Sequence, residues 1–485
     1  MSLNKKIKHA GKWQSLSVIS KNVIQVIYFA IMTRLLMKAD YGLMAIINGL
    51  VGIGNIFVQG GMGSALIQRK EINNRHINGA LQTSLLIGTI IYAIFYFTAP
   101  SISVIYEDIR LELLIKVASL NLILLSINNI SVNLLQKNYL FKSASLVNII
   151  SIIIGYGIGV VLAFNEYGVW SLVIATLVSS LIGTVALFYF APIKISFRPC
   201  LQEARELFGF GSGMILLYLS NFLSNKGLNL IFGKVFPTDI LGVYERTSAL
   251  KSLPSGFLSS IINKVMFPVM SEIQDENEKL LNIYKFGLGV SNSIMVPTTV
   301  FLIFFSPEIV QILMGPNWSE AVLPLQIMFL ILTFSNSGSM TDSIIRAKGL
   351  IYKNVSRKYI FTVIIIILSG TLGYFYGING AAVGIVVSHI INYLMMIILV
   401  KNVFGGSVKE YFYQPLVEGL KLGGYIGILI FTFKLSCTSL VKTNVTLFII
   451  FTISLLLSCL VLMRYKPMIF GSYLGKVIKS SFGKG

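Results

Sequence analysis

Apolar residues run through this chain in blocks broken by short polar turns. Each block is about 20 residues, the length at which a helix rising ~1.5 Å per residue crosses the hydrocarbon core of a bilayer. Block by block, the pattern predicts roughly fourteen transmembrane helices. The first two fall at about 12–36 and 41–66, joined by a tight turn at Met37–Gly42, and four more centre near Ile90, Leu122, Ile153 and Val178. A polar stretch at 191–206, with Pro192, Pro199 and both signs of charge, then interrupts the blocks. Beyond it, six further spans centre near Leu223, Gly256, Met295, Ile331, Ile365 and Ile390, and a last pair near Ile428 and Ser454 follows the connection at 401–414.

The two sets of six read as copies of one unit. Arg34, Asp40 and Gly42 close the first span and open the second; Lys234, Asp239 and Gly242 do the same in the later set, with the spacing from base to glycine unchanged. Gln136–Lys142 matches Arg346–Lys353 loosely, and Tyr167–Trp170 matches Asn379–Ala382. Six is even, so both copies enter the membrane from the same side, related by a pseudo-two-fold axis along its normal. The expected fold class is all-α integral membrane. Its parts are an N-terminal six-helix lobe at 1–190, a cytoplasmic linker at 191–206, a second six-helix lobe at 207–400, a helix pair at 401–464 and a basic cytoplasmic tail at 465–485. In the tail, Leu474, Val477, Ile478 and Phe482 recur at helical spacing beside Lys476 and Lys479, which suits either the anionic inner leaflet or solvent.

Composition removes the soluble alternatives. Hydrophobic residues make up 55% of the 485 and charged residues only 12%, with a mean hydropathy of +0.79, which leaves no room for a sizeable soluble domain. A formal net charge of +20 would suggest nucleic acid in a soluble protein, but here the cations gather in alternate connections. Lys5, Lys6, Lys8 and Lys12 share a side with Arg69/Arg75, Lys137/Lys142, Lys194/Arg198/Arg205, Arg346/Lys353/Arg357/Lys358, Lys401/Lys409 and Arg464/Lys476. Both termini are therefore expected in the cytoplasm, with no cleavable signal peptide and no nucleic-acid partner. Glu272, Asp275, Glu276 and Glu278 make one connection acidic, which counts little for topology. Cys200, Cys437 and Cys459 have no metal-ligand spacing.

Polar groups at membrane depth are costly and mark function when they face a cavity. They concentrate at Tyr218–Lys251. Asn221, Asn225 and Asn229 recur every four residues and would share one face of the seventh span, with Lys226 about 100° round. Ser17, Lys21, Gln25 and Tyr28 form the corresponding stripe on the first span, Lys21 opposite Asn221 and Gln25 opposite Asn225 in repeat register. Two such faces are what a central cavity between lobes needs; the plainer alternative has Lys21 snorkelling to the surface and the amides bonding between helices. Glu245 and Arg246 are sequence neighbours, so they point apart and each needs another partner. Lys251 lies just before Pro254, at an expected kink, and Pro297 is expected to kink the next span. An ordinary packed kink with Arg246 at the outer interface is the alternative there. Asn121, Asn128, Asn129 and Asn133 read as interhelical glue, Lys116 lies near an entrance, and His389 with Asn392 could hold a proton or a hydroxyl. No catalytic triad, carboxylate pair, metal-ligand group or phosphate-cradling glycine loop can be assembled, so neither enzyme chemistry nor a cofactor is expected.

Several local marks, taken together and in order, are more specific. They are Asp40–Leu43, Gly61–Arg69, Leu135–Lys142, Tyr167–Leu172, Leu241–Tyr244, Leu253–Pro254 and Phe267–Pro268. In these the chain resembles the lipopolysaccharide and teichuronic-acid flippases of the polysaccharide-transport branch of the multidrug/oligosaccharidyl-lipid/polysaccharide exporter superfamily. The resemblance implies two six-helix lobes in a V, with two further helices in larger members, and alternating access across the bacterial inner membrane. The implied substrate is an undecaprenyl-diphosphate-linked oligosaccharide, with membrane lipids around the protein and a polysaccharide polymerase and chain-length machinery as partners. A diphosphate in a low-dielectric cleft calls for cations, for which Lys21, Lys226, Arg246 and Lys251 are the candidates, while Gln25, Asn221, Asn225 and Asn229 suit sugar hydroxyls. The chain departs from the family pattern at Asn229, where an acid is common, which weakens ion coupling there; Glu245 is the remaining coupling candidate, with H+ or Na+ as the ion. The competing readings are a multidrug or lipid-II exporter of the same superfamily and a membrane-embedded polymerase or glycosyltransferase. The first should carry buried acids beyond Glu245 and Asp342, and the second needs a sizeable catalytic loop.

Overall fold

In hydrocarbon, an open chain satisfies its backbone polar groups only as a helix, and helices account for the regular structure throughout the described residues. The computed structural model describes residues 3–59, 62–69, 71–194, 196, 198–437, 446, 448, 451–455, 464–465 and 470–482. The first six spans comprise α1 (Leu3–Leu35), α2 (Lys38–Gln59) with the short α3 (Met62–Gln68), α4 (Asn74–Ile105), α5 (Arg110–Ala118) with α6 (Asn121–Lys137), α7 (Phe141–Phe164) and α8 (Val169–Phe190). The second set comprises α9 (Leu201–Asn225) with α10 (Gly227–Val235), α11 (Thr238–Glu272), α12 (Asn277–Phe304), then α13 (Ser306–Leu313), α14 (Val322–Phe329), α15 (Ile331–Ala347) and α16 (Ile351–Phe404). α17 (Val408–Cys437) and a helix at Gly471–Phe482 follow. Ten stretches of the described residues are long and apolar enough to cross a membrane, and one of them, Lys353–Phe404, holds two spans folded at Tyr376 and Gly377. The expected span around Ser454 lies mostly outside the described residues.

Contacts divide the chain into two compact units, Met1–Glu245 and Arg246–Gly485. In the first, α7 packs along α8 and carries α1, where Tyr28 and Tyr156 stack with ring centroids 3.8 Å apart. Met62, Leu66, Ile77, Leu81, Ile130, Leu134 and Leu207 form an apolar core among α3, α4, α6 and α9. In the second, α12 is the hub: α15, α17 and the Gly471–Phe482 helix all pack on it. Tyr284 of α12 bonds Thr341 of α15 at 2.9 Å, Lys434 of α17 reaches Glu308 at 2.7 Å, and Tyr473 lies over Gly289, where a β-carbon would come within 2.4 Å of its ring. The helical tail thus rests on α12 through Tyr473, with Ile478 buried and Lys476 and Lys479 exposed. α11 and α12 continue as single helices through Pro254 and Pro297.

The duplication is visible in the element boundaries. α1 stops at Leu35 and α2 starts at Lys38; roughly 200 positions later α10 stops at Val235 and α11 starts at Thr238. The two turns meet inside the first unit. A β-carbon on Gly42 would lie 1.9 Å from the carbonyl oxygen of Thr238, and one on Gly242 would lie 1.9 Å from that of Lys38. Each glycine is thus required by the backbone of the other copy, as a pseudo-two-fold contact demands. One detail of the expected register is corrected. The counterpart of Gly168, at φ +51 before α8, is Gly377, at φ +63 within α16, and both follow a tyrosine. That backbone is cheap only for glycine, so conformation rather than local lettering identifies the equivalent turn. Gly380, the glycine of the expected match, is a helical residue packed against the carbonyl of Leu372.

Candidate functional site

The seventh span is not one helix. The backbone leaves helical geometry at Lys226 (φ −122°, ψ −13°), which closes α9 and opens α10. Local chemistry favours the break: Gly227 is a poor interior helix residue, and the Asn225 side chain donates to the carbonyl of Asn221 at 2.7 Å. The break corrects the expected single face. Asn221 and Asn225 are exposed on α9, whereas Asn229 lies on α10 and is 1% exposed.

Glu245, on α11 and 4% exposed, faces this break. Lys226 Nζ donates to its Oε1 at 2.9 Å and Asn229 Nδ2 donates to its Oε2 at 2.9 Å. Each oxygen of Glu245 thus has a donor other than the adjacent Arg246. A buried ion pair is weak evidence for stability, because desolvation offsets the Coulomb gain. What the arrangement does secure is position: the carboxylate fixes an ammonium whose side chain is still 43% exposed. Discontinuous helices with charged groups at the break are a recurrent way to build sites at membrane depth.

The exposed side of Lys226 opens on a cleft of about 410 Å³ between α2, α6 and α9. Asn48, Asn55 and Gln59 line it from α2, Asn121 and Leu125 from α6, and Tyr218 and Phe222 from α9. The Phe222 ring fits against Gly52, where a β-carbon would approach it to 2.4 Å. Among the described residues, the carboxamide oxygens of Asn55 and Asn121 are enclosed without a hydrogen-bond partner. Carboxamides, two aromatic rings and one cation can accept hydroxyl hydrogens, pack against a ring and hold an anion. Sequence reasoning missed Asn48, Asn55, Gln59, Tyr218 and Phe222, and read Asn121 only as glue. The signal was present: Asn48, Gly52, Asn55 and Gln59 fall on one narrow face of α2 at helical period.

The remaining predicted residues lie elsewhere. Lys21 is exposed on α1 and Gln25 half-buried, and the cleft lining comes from α2, α6 and α9. Arg246 and Lys251 are half-buried in the second unit, and Lys251 acts electrostatically on His389, whose ring meets Phe361 edge-on at 5.2 Å. A second polar cluster there was not foreseen. Arg357, counted from the sequence as a loop cation, is 5% exposed on α16. Its guanidinium donates to Asn354 Oδ1 at 2.7 and 3.1 Å and to Asn392 Oδ1, while Asn354 Nδ2 donates to Asp342 at 2.7 Å.

Helical spans throughout the described residues, a duplicated helix–turn–helix boundary and a broken helix beside a polar cleft define a multi-pass α-helical membrane protein. The chain belongs to the family described as polysaccharide biosynthesis protein, whose model matches residues 31–323, more than half of it. It is 23% identical over 421 residues to the lipopolysaccharide biosynthesis protein WzxC of Escherichia coli, covering 85% of this chain and 84% of that one. To the teichuronic acid biosynthesis protein TuaB of Bacillus subtilis it is 22% identical over 356 residues, 72% of each. Its fold is similar to that of the lipid II flippase MurJ in an inward-closed conformation, with a TM-score of 0.74, 17% identity, and coverage of 96% of this chain and 98% of that one.

Proposed function

We propose that this protein is a flippase that carries an undecaprenyl-diphosphate-linked oligosaccharide across the bacterial cytoplasmic membrane by alternating access, for surface polysaccharide biosynthesis. The observation that carries the reading is the cleft, where an anchored ammonium shares the lining with four carboxamide side chains, two of which have an oxygen without a donor among the described residues. Lys226 supplies a counter-charge for a diphosphate, and the carboxamides of Asn48, Asn55, Gln59 and Asn121 along the cleft supply partners for sugar hydroxyls, the enclosed oxygens of Asn55 and Asn121 once their side chains turn toward the ligand. Family membership and the similarity to proteins of lipopolysaccharide and teichuronic acid biosynthesis support the same substrate class. A cationic-drug exporter fits less well, because Glu245 already takes hydrogen bonds from Lys226 and Asn229 on both its oxygens.

Lys21, Arg246 and Lys251 remain further cationic contacts in this proposal, with Gln25, Asn221 and Asn225 as further polar ones. Asn229 acts by holding Glu245. The positive-inside distribution supports cytoplasmic termini. Glu245 is the candidate for coupling to H+ or Na+. A polysaccharide polymerase with its chain-length machinery would receive the product. In cells deleted for the gene, the Lys226→Gln/Arg246→Gln double variant is expected to reach the membrane at the native level and to lose surface polysaccharide at least about tenfold, the scale of one lost charge-assisted contact. Native export by that variant would remove the cleft from the transport path.

A further inference from the structure

We propose that the connection between α8 and α9 forms a second ligand site, distinct from the cleft at Lys226: a pocket for a phosphate-bearing headgroup at the membrane surface. The pocket encloses about 390 Å³ and is lined by Asn74, Arg75 and Asn78 of α4 and by Lys194, Ser196 and Arg198 of the connection. Three cations from two distant segments line it, and no carboxylate does. Of the acids nearby, Glu203 pairs with Arg75 itself at 2.8 Å, and Glu206 is engaged outside the pocket with Arg69 at 2.7 Å and His76 at 3.4 Å. Among the described residues, Lys194 and Arg198 have no carboxylate partner.

Two free cations on a loose loop would be ordinary surface charge, but this loop is held. Asn78 Nδ2 donates to the carbonyl of Lys194 at 2.8 Å, and the Ser196 N–H donates to Asn78 Oδ1 at 2.7 Å. Gln82 Nε2 donates to the carbonyls of Ser196 and Arg198 at 2.9 Å each, and the Cys200 N–H donates to Gln82 Oε1 at 3.2 Å. Gly79 lets the strap lie on α4, since a β-carbon there would come within 2.8 Å of the Cys200 carbonyl. Two carboxamides thus spend donors and acceptors alike on fixing the backbone that carries Lys194 and Arg198 next to Arg75. Arg75 already has Glu203, but holding Lys194 and Arg198 together without a carboxylate is unfavourable until an anion enters, and Lys and Arg side chains are the usual donors to phosphate. The volume takes a diphosphate or a phosphodiester with its glycerol, and the connection lies on the side of the chain where the positive-inside rule puts the anionic leaflet. The shared chemistry is a lipid phosphate. Its source is either an anionic phospholipid of that leaflet or an incoming prenyl diphosphate.

The test uses the full chain in phosphatidylcholine nanodiscs, with equilibrium binding of farnesyl diphosphate and, separately, of short-chain phosphatidylglycerol. All variants carry Lys226→Gln so that the cleft does not contribute. Adding Lys194→Gln/Arg198→Gln is expected to weaken the bound probe about 30-fold, at about 1 kcal/mol for each surface cation. The control Lys401→Gln/Lys409→Gln, which removes the same charge from other exposed positions, is expected to change it less than about threefold. Arg198→Lys should recover most of the binding, which a folding defect would not allow. A loss confined to phosphatidylglycerol assigns a structural lipid, and a loss confined to farnesyl diphosphate assigns a substrate-loading site. Equal binding of both probes by the pocket variant and the control would overturn the proposal.

Discussion

Asn55 and Asn121 each enclose an acceptor oxygen with no donor among the described residues. Such a group costs roughly 1–3 kcal/mol of stability. A purely structural residue would be expected to remove that cost, and a ligand contact would be expected to bear it. The two roles predict opposite outcomes for Asn121→Leu, which keeps the shape and deletes the acceptor. Our account expects unchanged or raised thermal stability with transport reduced at least about tenfold; a structural role would give lowered stability with transport retained in the folded fraction. At this scale the sequence was half legible. Lys226, Glu245 and Asn229 stood out because each is costly in hydrocarbon, and the structure joins them. The asparagines of α2 did not stand out, because an amide among apolar residues reads the same whether it bonds a neighbouring helix or lines a cleft, and only the packing of α9 against α2 separates the two.

Elements carry the duplication. Its clearest physical trace is the reciprocal contact of Gly42 with Thr238 and of Gly242 with Lys38. Gly42→Ala places a methyl inside a carbonyl, so the helices must part, at a cost of about 1–3 kcal/mol or more. Because one separation relieves both clashes, the Gly42→Ala/Gly242→Ala double variant should cost clearly less than the sum of the singles. Strict additivity in denaturation of the purified protein would mean that the turns do not share a contact. The equal spacing from Arg34 to Gly42 and from Lys234 to Gly242 made the correspondence of the two turns readable in advance, but not their contact. The break at Lys226 was not readable. A four-residue asparagine period fits an unbroken helix, and the signals against it, a glycine and an asparagine that bonds its own backbone, are each individually weak. The turn at Gly377 was misplaced by a few residues for a related reason: letters near it resemble the first copy, but positive φ marks the true equivalent.

For the whole molecule, helical class, membrane insertion and duplication followed from block length and spacing alone, because bilayer thickness leaves few alternatives. The positive-inside count read Arg357 as a loop cation and so concealed the buried cluster with Asn354, Asn392 and Asp342. The central claim is that the cleft at Lys226 holds the headgroup of a lipid-linked oligosaccharide during its crossing. The most direct measurement is translocation in proteoliposomes loaded with a fluorescent prenyl-diphosphate oligosaccharide, read as the fraction accessible to a membrane-impermeant quencher over time. Native protein should move the lipid to the outer leaflet, and Lys226→Gln and Asn121→Leu should each slow that movement at least about tenfold at equal reconstitution. Native rates from both variants, or no movement by the native protein, would contradict the account.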